Sequence, residues 1–199
     1  MDVLPEATFD TLFVASRVQQ RLKDFAESEV HFFAYFGCLL SVYDGLPSDS
    51  WRYKFVKTDF GTPFSSEIQK AIRALIASKF AKGIGEGDYF NLMEEGGKRL
   101  EFLSSNFTFF HERTKYLEVA CNMLTLLPYG QIRESLRNEP VIFSAESGGA
   151  SRTLLESTSP ATHTLHAQFR LLKEAMVGSK SRLLLPAAVW LDGLALKGK

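Results

Sequence analysis

Residues 65–100, SSEIQKAIRALIASKFAKGIGEGDYFNLMEEGGKRL, decide the fold. Ile68, Ala71, Ile72, Leu75 and Ile76 fall on one stripe that Phe80 continues, and this spacing predicts an amphipathic helix over residues 65–82. Ser65 or Ser66 can cap it, and Glu67 in the first turn suits the positive end of the helix dipole. Lys70 and Arg73 project from the opposite side, and Lys79 and Lys82 extend the same charge, against the single carboxylate of Glu67. Gly83–Asp88 then reads as a turn, Tyr89–Leu92 as a short strand, and Glu94–Leu103 as a further helix. The spaced glycines Gly83, Gly85 and Gly87 do not make a phosphate cradle. They lack the Lys-Ser/Thr ending and the strand-to-helix order of a P-loop, and Glu86 and Asp88 would repel phosphate.

Working outward, Phe9–Phe25 carries apolar residues at helical spacing. Glu29–Tyr43 is apolar on nearly every side, which predicts the central buried helix of a domain. Asp44-Gly45-Leu46-Pro47 ends it, with glycine at the C-terminal cap and proline blocking continuation. Trp51–Lys57 alternates charged and aromatic residues, as a short strand does. Beyond the deciding stretch, helices are expected over His111–Leu127, Gln131–Asn138 and His163–Val177. Val141–Phe143 forms a short apolar run, and Ser144–Ser159 an exposed loop rich in Ser, Gly and Thr.

The chain has 199 residues, 45% of them apolar, with 17 Phe, enough aromatic area for a core without disulfide or metal staples. Lys and Arg balance Asp and Glu at 23 each, so the chain is not polybasic overall, and any nucleic-acid surface must be local. Cys38 and Cys121 sit in apolar surroundings and read as buried thiols. MDVLPEATFD shows no positive leader followed by an apolar run, and the longest apolar stretch, Leu183–Leu191, is far short of the ~20 residues that span a bilayer. A cytoplasmic protein without membrane contact is expected.

Tyr89-Phe-Asn-Leu92, followed by Glu95-Gly96 and Lys98-Arg-Leu100, resembles the wing region of winged-helix domains, with Met93 standing where those domains usually carry a capping Thr. The expected fold is therefore mainly α with a small β wing (α+β). A winged-helix-type domain over residues 1–106 would precede a helical region over 107–199, itself a candidate second, degenerate winged helix. Further segments resemble the middle components of bacterial ABC-three-component (Lamassu-type) defence systems. These are His31–Phe36, the Asp44-Gly45 break, Gly61–Ser65, Tyr116–Glu118, Leu127–Gly130 and Ile132-Arg133. Such components are similar to the winged-helix accessory subunits of SMC condensins. The resemblance implies a non-catalytic accessory subunit, and no cofactor is expected. It would bridge an SMC-like ATPase and an effector, commonly a nuclease, in a complex directed against phage or plasmid DNA. A stand-alone winged-helix transcriptional regulator or antitoxin is the alternative.

Lys70, Arg73, Lys79 and Lys82 are the candidate contacts to double-stranded DNA, mainly through phosphates, with Gln69 and Arg73 the plausible base readers. A solvated basic helix face is the bland alternative. Leu183–Leu191 either completes the core or docks a partner, with Trp190 and Leu191 as the anchor. Phe109 and Phe110, with Phe107, lie at the junction of the halves, where they either join the halves or form a partner surface. No metal set is visible: His163 and His166 have no further ligands nearby. Ser144 and Ser147 lack a nucleophile elbow, and no acidic residue precedes a Glu-x-Lys strand as in many nucleases. No catalytic residue is expected.

Overall fold

The structure is a computed structural model that describes residues 3–22, 25–84, 89–145, 153–176 and 183–197. Helix α1 (Pro5–Val18) begins with proline at its first position, where the missing N–H would have had no helical partner. It ends seven residues before Phe25. That residue instead starts strand β1 (Phe25–Ala26), where its ring meets Phe90 edge-on at 5.9 Å. Helix α2 (Glu27–Asp44) is the centre of the molecule, and every residue from Val30 to Tyr43 is buried. Gly45 at φ 108° closes it: the Leu46 N–H reaches Ser41 O at 3.0 Å and the Gly45 N–H reaches Val42 O at 3.1 Å.

The alternation in Trp51–Lys57 yields less strand than expected. Ser48–Trp51 forms a 3-10 turn, and only Val56–Lys57 (β2) pairs, antiparallel, with Pro63–Phe64 (β3). The aromatic side chains Trp51, Tyr53 and Phe55 are drawn into the core. Helix α3 spans Ser66–Ala77, and strands β4 (Ala81–Ile84) and β5 (Tyr89–Leu92) form an antiparallel hairpin. Strand β1 pairs with β5, so the sheet order is β1-β5-β4.

The rest is helical: α4 (Glu94–Asn106), α5 (Phe109–Asn122), α6 (Tyr129–Arg137), α7 (Pro140–Ser144), α8 (Pro160–Ala175) and α9 (Leu184–Lys197). The run Val141–Phe143 thus lies in a short helix, which Glu139 caps through the N–H groups of Val141 and Ile142. Residues on both sides of the 106/107 junction pack into one continuous core, in which Phe9 of α1 stacks on Phe110 of α5 at 4.2 Å. The same two helices are tied by a buried ion pair. Arg113 donates through Nε (2.9 Å) and Nη2 to Asp10, and Tyr53 donates to the same carboxylate. Arg113 also caps the Trp51 carbonyl at 3.1 Å and lies over the Trp51 ring.

Candidate nucleic-acid interface

Helix α3 presents the amphipathic pattern anticipated for it, with Ile68, Ala71, Ile72 and Leu75 buried. Its start is held from α2 rather than by a serine side chain. The Ser65 N–H donates to His31 Nδ1 at 3.1 Å, which leaves the His31 proton on Nε2, directed at Gln69 Oε1 at 3.1 Å. Gln69 Nε2 in turn donates to Glu27 at 2.7 Å. Burial pushes the His31 imidazole down to about 4, so this chain of hydrogen bonds carries a neutral ring near neutral pH. Gln69 is engaged at both ends of its amide, which commits the expected base reader to internal bonding.

The helix stops five residues before the expected end at Lys82. Lys79 adopts φ 61°, and the Phe80 N–H returns to Leu75 O at 2.9 Å while the Lys79 N–H reaches Ile76 O at 3.0 Å. Lys79 therefore lies in the turn, and Lys82 lies on β4 opposite Asn91. Strand alternation puts Ala81, Phe90 and Leu92 into the core and leaves Lys82 and Tyr89 on the outer face. The four candidate cations thus divide. Lys70 is paired with Glu67 at 2.9 Å, whereas Arg73, Lys79 and Lys82 are exposed and make no ion pair among the described residues. Residues 85–88 of the expected turn lie outside the described residues.

The hairpin is fastened to α4 through the backbone. The Met93 N–H donates to Phe80 O at 2.9 Å. A Cβ added to Gly96 would stand 2.3 Å from that same carbonyl and 2.4 Å from Leu92 Cδ1. Glycine is required here by close approach and not by its dihedral angles.

The expected partner residues also divide. Trp190 is only 6% exposed and packs on Phe169 at 5.0 Å, and Leu191 is fully buried. Phe110 is buried against Phe9. These three side chains belong to the core, because α9 folds back onto α6, α5 and α8. Phe109 alone stays open, at 53% exposure, beside the exposed rings of Phe102 and Phe107. The sequence reading missed Phe102, which belongs to a different helix and joins the cluster only through the α4–α5 turn; Arg99 lies over its ring at 5.3 Å.

Among the described residues no group of three His, Cys, Asp or Glu side chains is placed to hold a metal ion. His163 and His166 are exposed, and His163 Nε2 lies 2.9 Å from Ser157 O. Cys38 and Cys121 are buried free thiols, and burial pushes Cys38 up to about 12. Ser144 ends α7, while Ser147 lies outside the described residues. No helix among the described residues is long and apolar enough to cross a membrane. No family model matches the chain, and no curated protein or solved structure matches it significantly.

Proposed function

We propose that the chain is a non-catalytic accessory subunit, built on a winged-helix-type domain, that bridges an SMC-like ATPase and an effector in a bacterial complex acting against phage or plasmid DNA. The wiring of the small sheet supports the winged-helix part of this reading, and the segment resemblances given above support the rest. Helix, strand, helix, helix and hairpin follow one another as α1, β1, α2, α3 and β4–β5, and the first strand closes against the second strand of the hairpin. That connectivity is the one a winged-helix domain uses, with the β2–β3 hairpin as an insertion between its second and third helices. In DNA-binding members of that class the helix before the hairpin enters the major groove. Here that helix is α3, whose outer face carries Arg73, with Lys82 on the neighbouring hairpin.

With Gln69 internally bonded, any DNA contact by this face is phosphate-driven, salt-sensitive and weak in sequence preference. The Phe102, Phe107 and Phe109 cluster supplies a separate apolar surface of the kind a protein partner covers. In this mechanism the subunit holds the effector inactive against the ATPase, and DNA engaged by the ATPase shifts that arrangement and frees the effector.

Size-exclusion of the purified chain, with and without the products of its neighbouring genes, tests the reading. A stable complex with a coiled-coil ATPase is the expected outcome. A self-sufficient dimer that binds one DNA sequence at nanomolar concentration would replace the adaptor with a stand-alone regulator.

A further inference from the structure

Among the described residues the most exposed large apolar side chain is Phe60, at the tip of the β2–β3 hairpin with 83% of its area exposed. The tip is stiff. The Thr58 N–H donates to Thr62 O and the Gly61 N–H to Thr58 O, both at 2.9 Å; the two threonine hydroxyls lie 2.8 Å apart, and Gly61 takes φ 73°. Such a turn holds a phenyl ring in water instead of letting it fold back.

Phe60 lines a cleft of about 470 Å³ together with Tyr89, which is 47% exposed, and with Phe64, His31, Gln69 and Glu27. Neither Phe60 nor Tyr89 stacks on another ring among the described residues. The cleft floor is polar but neutral at His31 and Gln69, and its one charge among the described residues is the carboxylate of Glu27. A phosphate is therefore disfavoured inside the cleft. Two cations lie on the elements that line it: Arg73 lies one helical turn beyond Gln69 on α3, and Lys82 shares the outer sheet face with Tyr89.

We propose that this cleft takes an unpaired nucleobase from a single-stranded stretch of DNA. The base lies against Phe60 and Tyr89, Glu27 accepts from an exocyclic amino group, and the sugar-phosphate chain runs over Arg73 and Lys82. Base-on-aromatic stacking is sequence-tolerant and is worth ~1–3 kcal/mol per base, which is ~5–150-fold in affinity. Cytosine and adenine present the amino group that a carboxylate accepts, whereas thymine does not. This inference rests on the nucleic-acid reading of the α3 face and adds to it a preference for unpaired over fully paired DNA.

The test uses the full chain, a fluorescein-labelled single-stranded dC oligonucleotide, its dT and abasic counterparts, and a duplex of equal length, all at low salt. The expected result is that Phe60→Ala and Tyr89→Ala each weaken dC binding about tenfold and leave the duplex unaffected. The abasic strand should bind as weakly as the variants, with dT between. Both rings are exposed, so truncation leaves the fold intact, and unchanged thermal melting checks this. Equal binding of dC and abasic strands, or wild-type affinity in both variants, overturns the cleft proposal while leaving the basic face standing. Duplex affinity unchanged by Arg73→Glu with Lys82→Glu removes the basic face itself.

Discussion

Arg113 and Arg73 carry the same group on two helices and meet opposite fates. Arg113, on the inner face of α5, is sealed between Asp10, the Trp51 carbonyl and the Trp51 ring. Burial works to lower its pKa, but the bonded Asp10 carboxylate, with smaller help from Tyr53 and Cys38, holds it above the ordinary guanidinium value. Arg73, on the outer face of α3, is exposed and without an ion-pair partner among the described residues. The first arrangement is structural. A desolvated guanidinium is tolerated only when its donors are answered, and here the answers come from α1 and from the segment after α2. The second leaves a full charge available to a ligand. The protein thus separates the cation that joins α1 to α5 from the cations it presents to the outside.

The largest effect should come from breaking the inner arrangement. Arg113→Ala leaves Asp10 buried and uncompensated and should cost about 3–5 kcal/mol in urea unfolding. Removing both charges together, as Asp10→Leu with Arg113→Met, should recover much of that loss. A double variant no more stable than Arg113→Ala would mean that packing, and not charge compensation, governs the site.

Glu139 sharpens the contrast, because it is a buried carboxyl answered without a cation among the described residues. Tyr35 and the N–H groups of Val141 and Ile142 donate to it, yet burial outweighs them and raises it from 4.5 to about 7. The folded protein therefore retains a proton there that the unfolded chain has already released. The resulting stabilisation is complete below pH 4.5 and is lost as pH rises through about 7. From about pH 5 to about pH 8, wild-type stability should fall by on the order of 2–3 kcal/mol from this group, and Glu139→Gln should flatten that slope. A slope that survives the substitution would assign the pH dependence to another group.

Gly96→Ala tests how the outer surface is anchored. The added methyl meets the Phe80 carbonyl and Leu92, so a loss of about 1–3 kcal/mol is expected, read as a lower melting temperature. Arg73→Glu should be the mildest change to the fold, within about 0.5 kcal/mol. It should nevertheless lower the salt slope of duplex binding by about 1, the slope being taken from fluorescence anisotropy across a salt series. A stability loss comparable to that of Arg113→Ala would erase the distinction between the two arginines.

Local patterning revealed the helices where the apolar spacing was unambiguous. Val30–Tyr43 announced a buried central helix, Gly45 its end, and Ile68–Leu75 the one-sided stripe of α3. It misjudged the length of α3, because Lys79 carries no chemical mark of a left-handed cap that glycine usually supplies. The strand in Trp51–Lys57 shrank for a related reason: alternation there reflected aromatic side chains bound for the core, and only two residues found a pairing partner. The site was partly legible. Lys70, Arg73, Lys79 and Lys82 could be named, but not which of them Glu67 would neutralise.

The presence of most of the main helices, though not their ends, the strand Tyr89–Leu92 and the existence of an aromatic core followed from residue order, because spacings of two to four residues encode them. Which cations stay free, that Trp190 and Phe110 turn inward while Phe109 does not, and that Phe60 and Tyr89 share one cleft were settled only in three dimensions. Asp10 and Arg113 lie 103 positions apart and Tyr35 and Glu139 lie 104 apart, and no local period links partners so distant. Burial depends on what the rest of the chain brings alongside, so the electrostatics of this protein belong to its packing.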